Sequence, residues 1–194
     1  MNWPDNPTHP GGKTAQRITL HRGSRFDYEQ VRYAGASGSQ VVREVIRHPG
    51  SVVVLPILGD PSADSASVVL IRNHRVASGT DLLELPAGTL GPGEPPEAAA
   101  ARETAEESGF RPGTMTCLGS FHPSPGLSDE RMWAFVARDL VPQRQELEDD
   151  ESITVHPTPV GALWAMLDRG EIIDAKTMLV VLWASRRGLL PPAP

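Results

Sequence analysis

The chain has 194 residues, which is most simply one domain that is large enough to bury a core. Apolar residues make up 39% of it and charged residues 22%, as is typical of globular proteins, and the formal net charge of −6 argues against a nucleic-acid binder that works through bulk positive charge. Cys117 is the single cysteine, so an intrachain disulfide is excluded, and we expect it to be a buried strand residue.

In chain order, we expect a flexible arm at residues 1–14, a strand-rich region at 15–48 and the main domain at 49–190. The predicted strands are 16–22, 25–33, 41–47, 51–58, 67–72, 82–85, 114–121, 131–138 and 153–156, and the predicted helices are 94–108, 159–168 and 174–187. Many strands with three helices predict an α/β sandwich with a mixed sheet.

Nothing in the sequence predicts a membrane segment or a secretion signal. No apolar run approaches the length that spans a bilayer. The first residues lack a charged region followed by an apolar one, as a signal peptide would have. We therefore expect a cytoplasmic protein without a membrane or nucleic-acid partner.

The predicted helix 94–108 carries a group of carboxylates on one face. Glu106 and Glu107 lie three and four residues after Glu103, a spacing that places their Cβ atoms roughly 5–6 Å from that of Glu103. Carboxylates this close repel unless solvent screens them or a divalent cation lies among them, and Mg²⁺ prefers carboxylate oxygen and often shares its site with substrate phosphates. The plain alternative is a solvent-exposed acidic helix.

The residues around these carboxylates resemble the Nudix box. Gly88 is followed after five residues by Glu94 and after seven more by RETAEESGF, residues 102–110, so every polar and glycine position of the box matches. Thr104 departs from the aliphatic residue usual there, and we expect it to face the sheet without loss of chemistry. The combined register of the glycines, Glu94 and Arg102 argues against the plain acidic helix.

The resemblance implies a Nudix-type α/β/α sandwich with a mixed sheet, preceded by the N-terminal strand region. It also implies a metal site that contains Mg²⁺, with Mn²⁺ as the alternative. Glu103 and Glu107 would be direct ligands, Glu106 a ligand directly or through water, and the Ala87 carbonyl would complete the site. Arg102 lies four residues before Glu106 and is expected to hold its carboxylate in place. Such a site would neutralise charge on a diphosphate and orient water for attack at phosphorus.

Further stretches are similar to the ADP-ribose pyrophosphatase branch of the Nudix enzymes. They are SPGLSDE at 124–130, LIRNHR at 70–75 with ELPAG at 84–88, and GEIIDAKT at 170–177. This similarity implies substrate-binding roles for Arg75, Glu84, Pro125 and Glu130. An ion pair of Glu130 with Arg131 or Arg72 is an equal alternative, and the SPG stretch taken alone is also typical of an ordinary turn.

An acidic loop follows the predicted strand 131–138, and some Nudix relatives take their general base from such a loop. The candidates are Glu146, Glu148, Asp149, Asp150 and Glu151. We expect Glu148 or Glu151 to be the base, because a loop that closes on bound substrate brings a carboxylate to the attacking water. Glu106 is the alternative if the loop stays open.

The expected activity is metal-dependent hydrolysis of ADP-ribose, or of a related nucleoside diphosphate sugar, to AMP and ribose 5-phosphate or their analogues. A GDP-mannose hydrolase or another Nudix hydrolase of nucleoside diphosphates is the alternative. A nucleotide-binding sensor without activity is a second alternative, although its box glutamates would be degraded and here all are present. The branch also implies a homodimer with exchanged N-terminal strands.

Overall fold

The computed structural model of the chain describes residues 15–60, 65–149 and 151–193. The predicted arm at 1–14 and the candidate base Asp150 therefore lie outside the described residues, as do residues 61–64. The backbone forms two compact units. The first ends at Pro49 and also includes Ser124–Arg131, and the second comprises Gly50–Pro123 and Met132–Pro194.

The first unit is a three-stranded antiparallel sheet to which the SPG stretch is attached. Its strands are β1 (Gln16–Arg22), β2 (Asp27–Ala34) and β3 (Gln40–Arg47), with β2 in the centre. Asp129 accepts a hydrogen bond from the backbone N–H of His48 at 2.9 Å and one from Arg47. The stretch predicted to bind substrate through Pro125 and Glu130 is thus held by the end of β3.

A seven-stranded mixed sheet forms the centre of the second unit. Its order is β12-β5-β4-β10-β9, where β10 runs parallel to β4 and the other neighbours are antiparallel. The strands are β4 (Ser51–Leu58), β5 (Ser67–Arg75), β6 (Thr80–Glu84), β7 (Ala87–Thr89), β9 (Thr114–Phe121), β10 (Met132–Arg138) and β12 (Ile153–Pro159), and a separate pair is formed by β8 (Phe110–Arg111) and β11 (Val141–Pro142).

Helices cover both faces of this sheet, and the side-chain alternation of β4 explains why. Val52 and Val54 pack with the alanines of α1 (Pro96–Ser108), whereas Val53 and Leu55 pack with α2 (Val160–Asp168) and α3 (Ala175–Arg186). A strand buried on both sides needs the unbroken apolar run that β4 has. The predicted α/β/α sandwich with a mixed sheet is confirmed.

The sheet divides between β4 and β5, and this division creates the site described below. The two strands pair directly only at Ile57–Val68 and Leu58–Ser67. Beyond that point β6 pairs with β5, and β7 pairs with the first residues of β4. The chain crosses from β6 to β7 through Leu85 and Pro86, so a short turn lies where the strands diverge.

Two further findings concern expectations from the sequence. Cys117 lies in a strand, as expected, but the prediction that it is buried is wrong, because β9 is the edge strand and Cys117 is exposed there. Among the described helices, none combines the length and apolarity needed to cross a bilayer.

Candidate active site

The turn between β6 and β7 is fixed by hydrogen bonds to three different elements. Leu85 N–H donates to the Thr177 hydroxyl on α3 at 2.8 Å, and the Pro86 carbonyl accepts from Val54 N–H on β4 at 2.9 Å. Ala87 N–H donates to Glu107 Oε2 on α1 at 2.8 Å. The turn and the acidic helix are therefore joined directly.

Two of the box carboxylates are buried against this turn. Glu103 is 8% exposed and Glu107 2% exposed. A Cβ at Gly88 would lie 2.0 Å from the Glu103 carboxyl carbon and 2.1 Å from its Oε1, so the carboxylate occupies the space that any other residue at 88 would fill. This close approach is the physical reason for glycine at position 88.

Arg102 connects three of the four acids of the box. Its guanidinium contacts Glu94 at 3.0 Å, Glu103 Oε1 at 2.8 Å and Glu106 Oε2 at 2.9 Å. The pair with Glu106 is the one that the i, i+4 spacing predicted. Glu94 also accepts a hydrogen bond from Gly91 N–H at 2.8 Å, which closes the turn before α1. The predicted helix start at Glu94 is therefore two residues too early, because α1 begins at Pro96.

Burial perturbs the carboxylates that lie deepest. It raises the pKa of Glu103 to about 7, against the opposing charge of Arg102. It raises the pKa of Glu107 to about 8, although the Ala87 N–H opposes this and the charges of Glu103 and Glu151 add to it. A buried group of carboxylates that repel one another is electrostatically unfavourable by itself, and a bound cation would relieve that repulsion.

The carboxylate oxygens of the box and the carbonyl oxygen of Ala87 are the type of ligand that a hard divalent cation prefers. Within the described ranges, however, no three His, Cys, Asp or Glu side chains converge as they would around a bound ion. The hydrogen bonds explain this, because Arg102 holds Glu103 and Glu106 while Ala87 N–H holds Glu107. Binding of an ion by all three acids thus requires their side chains to rearrange around it.

A second charged group surrounds Glu84, which is fully buried. Arg75 donates to it through Nε at 2.8 Å and Nη2 at 2.5 Å, and Lys176 donates to it from α3. Burial acts to raise the pKa of Glu84, but the hydrogen bonds and charges of Arg75 and Lys176 outweigh it, so the pKa lies below its ordinary value. Glu84 is thus an ionised partner that orients the partly exposed Arg75.

The acidic loop is anchored at the C-terminal end of α1. Gln143 N–H and Glu146 N–H donate to the carbonyls of Gly109 and Glu106 at 2.9 and 3.0 Å, and the Gln145 side chain donates to the Glu107 carbonyl at 2.6 Å. These contacts satisfy carbonyls that a helix end leaves without partners. The loop therefore begins beside the buried carboxylates.

Beyond this anchor, the loop candidates differ in their surroundings. Glu148 and Glu151 form a turn, in which Glu151 N–H donates to the Glu148 carbonyl and Glu148 N–H to Glu151 Oε2, each at 3.0 Å. The charge of Glu151 contributes to raising the pKa values of both Glu103 and Glu107. This loop residue therefore interacts electrostatically with the buried acids.

Sequence reasoning assigned no role to Lys176 and Thr177, which the structure brings to the site. Both contact residues of the ELPAG stretch that lie 92 positions earlier in the chain. The sequence signal for these two residues is the stretch Asp174-Ala175-Lys176-Thr177, which is similar to the ADP-ribose pyrophosphatase branch of the Nudix enzymes. No local pattern predicts which buried groups such a stretch meets.

The fold and site define an α/β/α sandwich with an acidic helix held against a glycine turn. The NUDIX domain profile matches residues 47–179. ADP-ribose pyrophosphatase of Bacillus subtilis (strain 168) is 31% identical over 171 residues, which are 87% of this chain and 90% of that protein. The chain belongs to the NUDIX family.

Other similar proteins carry several different names. ADP-ribose pyrophosphatase of Mycobacterium tuberculosis (strain ATCC 25618 / H37Rv) is 32% identical over 94% of this chain and 88% of its own. Several GDP-mannose pyrophosphatases are 31% to 34% identical. A solved structure titled as an ADP compounds hydrolase superposes with a TM-score of 0.74 at 24% identity, over 90% of this chain and 95% of that one, and supports the fold.

Proposed function

We propose that this Nudix hydrolase cleaves the diphosphate bond of ADP-ribose, or of a related nucleoside diphosphate sugar, and releases AMP and ribose 5-phosphate or their analogues. The observation that carries the proposal is the pair of buried carboxylates, Glu103 and Glu107, held against the Gly88 turn. It is supported by two relatives named ADP-ribose pyrophosphatase that align over most of both chains.

The cofactor is a divalent cation, as is general for Nudix hydrolases, and we propose Mg²⁺, with Mn²⁺ as a substitute. Glu103 and Glu107 would hold it, together with Glu106 and the Ala87 carbonyl. A cation bound there would neutralise charge on the diphosphate and help to orient the attacking water. Arg102 contacts Glu103 and Glu106 at 2.8 and 2.9 Å and so holds these two carboxylates near one another.

Arg75 is proposed to bind a substrate phosphate. Its side chain is 39% exposed and its guanidinium is already oriented by Glu84, so phosphate binding costs little further ordering of the side chain. Glu84 is fully buried and paired, which favours this supporting role over direct contact with substrate. The substrate-binding roles of Pro125 and Glu130 stay predictions.

Hydrolysis adds one water molecule across the phosphoanhydride, and the water must lose a proton as its oxygen attacks phosphorus. We propose Glu151 as the acceptor of this proton, in preference to Glu148, Glu146, Asp149 or Asp150. Glu151 lies at the end of an anchored loop and its charge acts on the buried acids. Glu106 remains the alternative base.

A panel of substrates tests the proposal. Purified protein with Mg²⁺ is expected to release AMP from ADP-ribose faster than it cleaves GDP-mannose or dinucleoside polyphosphates, and a chelator is expected to abolish the reaction. Faster turnover of GDP-mannose would assign the chain to the activity that its other named relatives carry. Tight nucleotide binding without turnover would favour the sensor.

A homodimer and a cytoplasmic location complete the proposal. The antiparallel sheet of the first unit exposes apolar side chains such as Leu20, Tyr28 and Val42, which supports the expected exchange of N-terminal strands. Light scattering coupled to size exclusion measures the mass directly, and the 20.9 kDa chain is expected to elute at twice that value.

A further inference from the structure

We propose that Thr177, in the first turn of α3, is a positioning residue for the proposed metal site. The proposal rests on the proposed function and concerns how the fold sets the position of Ala87 and Glu107. Thr177 is completely buried and does not belong to the box. Its hydroxyl instead accepts the hydrogen bond of Leu85 N–H, two residues before Ala87.

The hydroxyl is held in one orientation. Thr177 Oγ1 donates to Asp174 Oδ2 at 2.6 Å, and the same carboxylate oxygen accepts from Thr177 N–H at 3.0 Å as the N-cap of α3. With its proton directed to Asp174, Oγ1 presents a lone pair to Leu85 N–H. The start of α3 is thus a rigid acceptor for the turn.

Besides the hydrogen bond that the Pro86 carbonyl accepts, the turn is held by the few hydrogen bonds that it donates. Pro86 has no N–H, so the three residues offer two donors, of which Leu85 N–H goes to α3 and Ala87 N–H to Glu107. Loss of the Thr177 acceptor would leave Leu85 N–H buried without a partner, a state that native proteins avoid. The turn would then shift toward another acceptor and carry Ala87 away from Glu107.

A shift of this kind affects metal binding and chemistry more than substrate affinity. Ala87 contributes both the N–H that orients Glu107 and the carbonyl proposed as a ligand. Loss of groups that orient metal ligands typically reduces metal affinity or activity about 10–100-fold. Nucleotide binding relies on other groups, among them Arg75, and changes less. The combination distinguishes a positioning residue from a merely structural one.

The test compares Thr177→Val, which removes the hydroxyl at nearly constant volume, with Thr177→Ser, which keeps it. Thr158→Val is the matched control, because Thr158 is also buried and bonds a backbone carbonyl, that of His156 at 3.0 Å, on β12. Thermal unfolding, Mn²⁺ titration by calorimetry and steady-state kinetics are measured for each. Thr177→Ala replaces Thr177→Val if the latter does not fold.

Thr177→Val is expected to lower both Mn²⁺ affinity and kcat by about tenfold or more, while KM changes by less than about threefold. It is also expected to speed hydrogen exchange at the Leu85 amide. Thr177→Ser is expected to restore wild-type values within about threefold, and Thr158→Val to leave Mn²⁺ affinity unchanged. Wild-type Mn²⁺ affinity and kcat in Thr177→Val, or equal losses in Thr158→Val, would overturn the proposal. A wild-type protein that neither binds Mn²⁺ nor hydrolyses nucleotide would instead refute the proposed function.

Discussion

Gly88→Ala is the sharpest single test of the buried acidic site. The added Cβ would lie 2.0 Å from the Glu103 carboxyl carbon, whereas ordinary contact begins at 3.4 Å, so the carboxylate must withdraw by about 1.4 Å. Glu103 has a flexible side chain, and its displacement toward solvent costs less than moving the backbone of β7 or α1. We therefore expect a folded protein with a misplaced ligand.

The expected magnitude follows from that displacement. A misplacement of about 1 Å at a reacting centre costs on the order of 100-fold in rate, so kcat is expected to fall by at least that factor. Overpacking costs roughly 1–3 kcal/mol of stability, and relaxation of Glu103 places the expected loss at the lower end. Mn²⁺ affinity measured by calorimetry should fall together with kcat.

Gly161→Ala supplies the control. Gly161 lies on the exposed surface of α2, where an added Cβ meets no atom within 4 Å, and the change is expected to stabilise the protein by about 0.5–1 kcal/mol without altering kcat. Activity and Mn²⁺ affinity of Gly88→Ala within threefold of wild type would refute the argument. Such a result would mean that the Glu103 carboxylate is not needed in its observed place.

Three further outcomes are expected. Glu107→Gln should lower kcat by about 1,000-fold, yet it should leave the metal-free protein at least as stable as wild type, because burial already disfavours the charge of Glu107. A lower melting temperature without loss of activity would contradict both the proposed metal-binding role and the unfavourable burial of this charge. Glu151→Gln should lower kcat by about 100-fold or more while Glu148→Gln lowers it by less than threefold, and the reverse order would assign the base to Glu148. The pKa values of Glu103 and Glu107 are raised from 4.5 to about 7 and about 8, so at these two groups the folded metal-free protein binds more protons than the unfolded chain, and the urea midpoint of unfolding should fall as pH rises from about 4.5 to about 8. Saturating Mg²⁺ should reduce this dependence of the urea midpoint on pH, and an unchanged dependence would contradict metal binding at these acids.

The long elements were predictable because their signals are local. β4 is an unbroken apolar run, and the predicted bounds 51–58 coincide with Ser51–Leu58. The short strands β7, β8 and β11 were missed, since two or three residues carry no periodicity and pair only because a partner strand lies beside them. The exposure of Cys117 was missed for a related reason, because strand order decides which strand forms the edge.

For the site, the sequence by itself determined which groups share a face of α1. Helical geometry brings Arg102 near Glu106, and Glu103 near Glu107, because the residues of each pair are four positions apart, so their proximity needs no other part of the chain. Tertiary structure alone decided how deeply Glu103 and Glu107 are buried, and therefore how far their pKa values rise. Tertiary structure also decided that Thr177 accepts a hydrogen bond from Leu85, 92 residues earlier in the chain, in the turn between β6 and β7. Burial and long-range hydrogen bonds depend on elements that meet only when the chain folds.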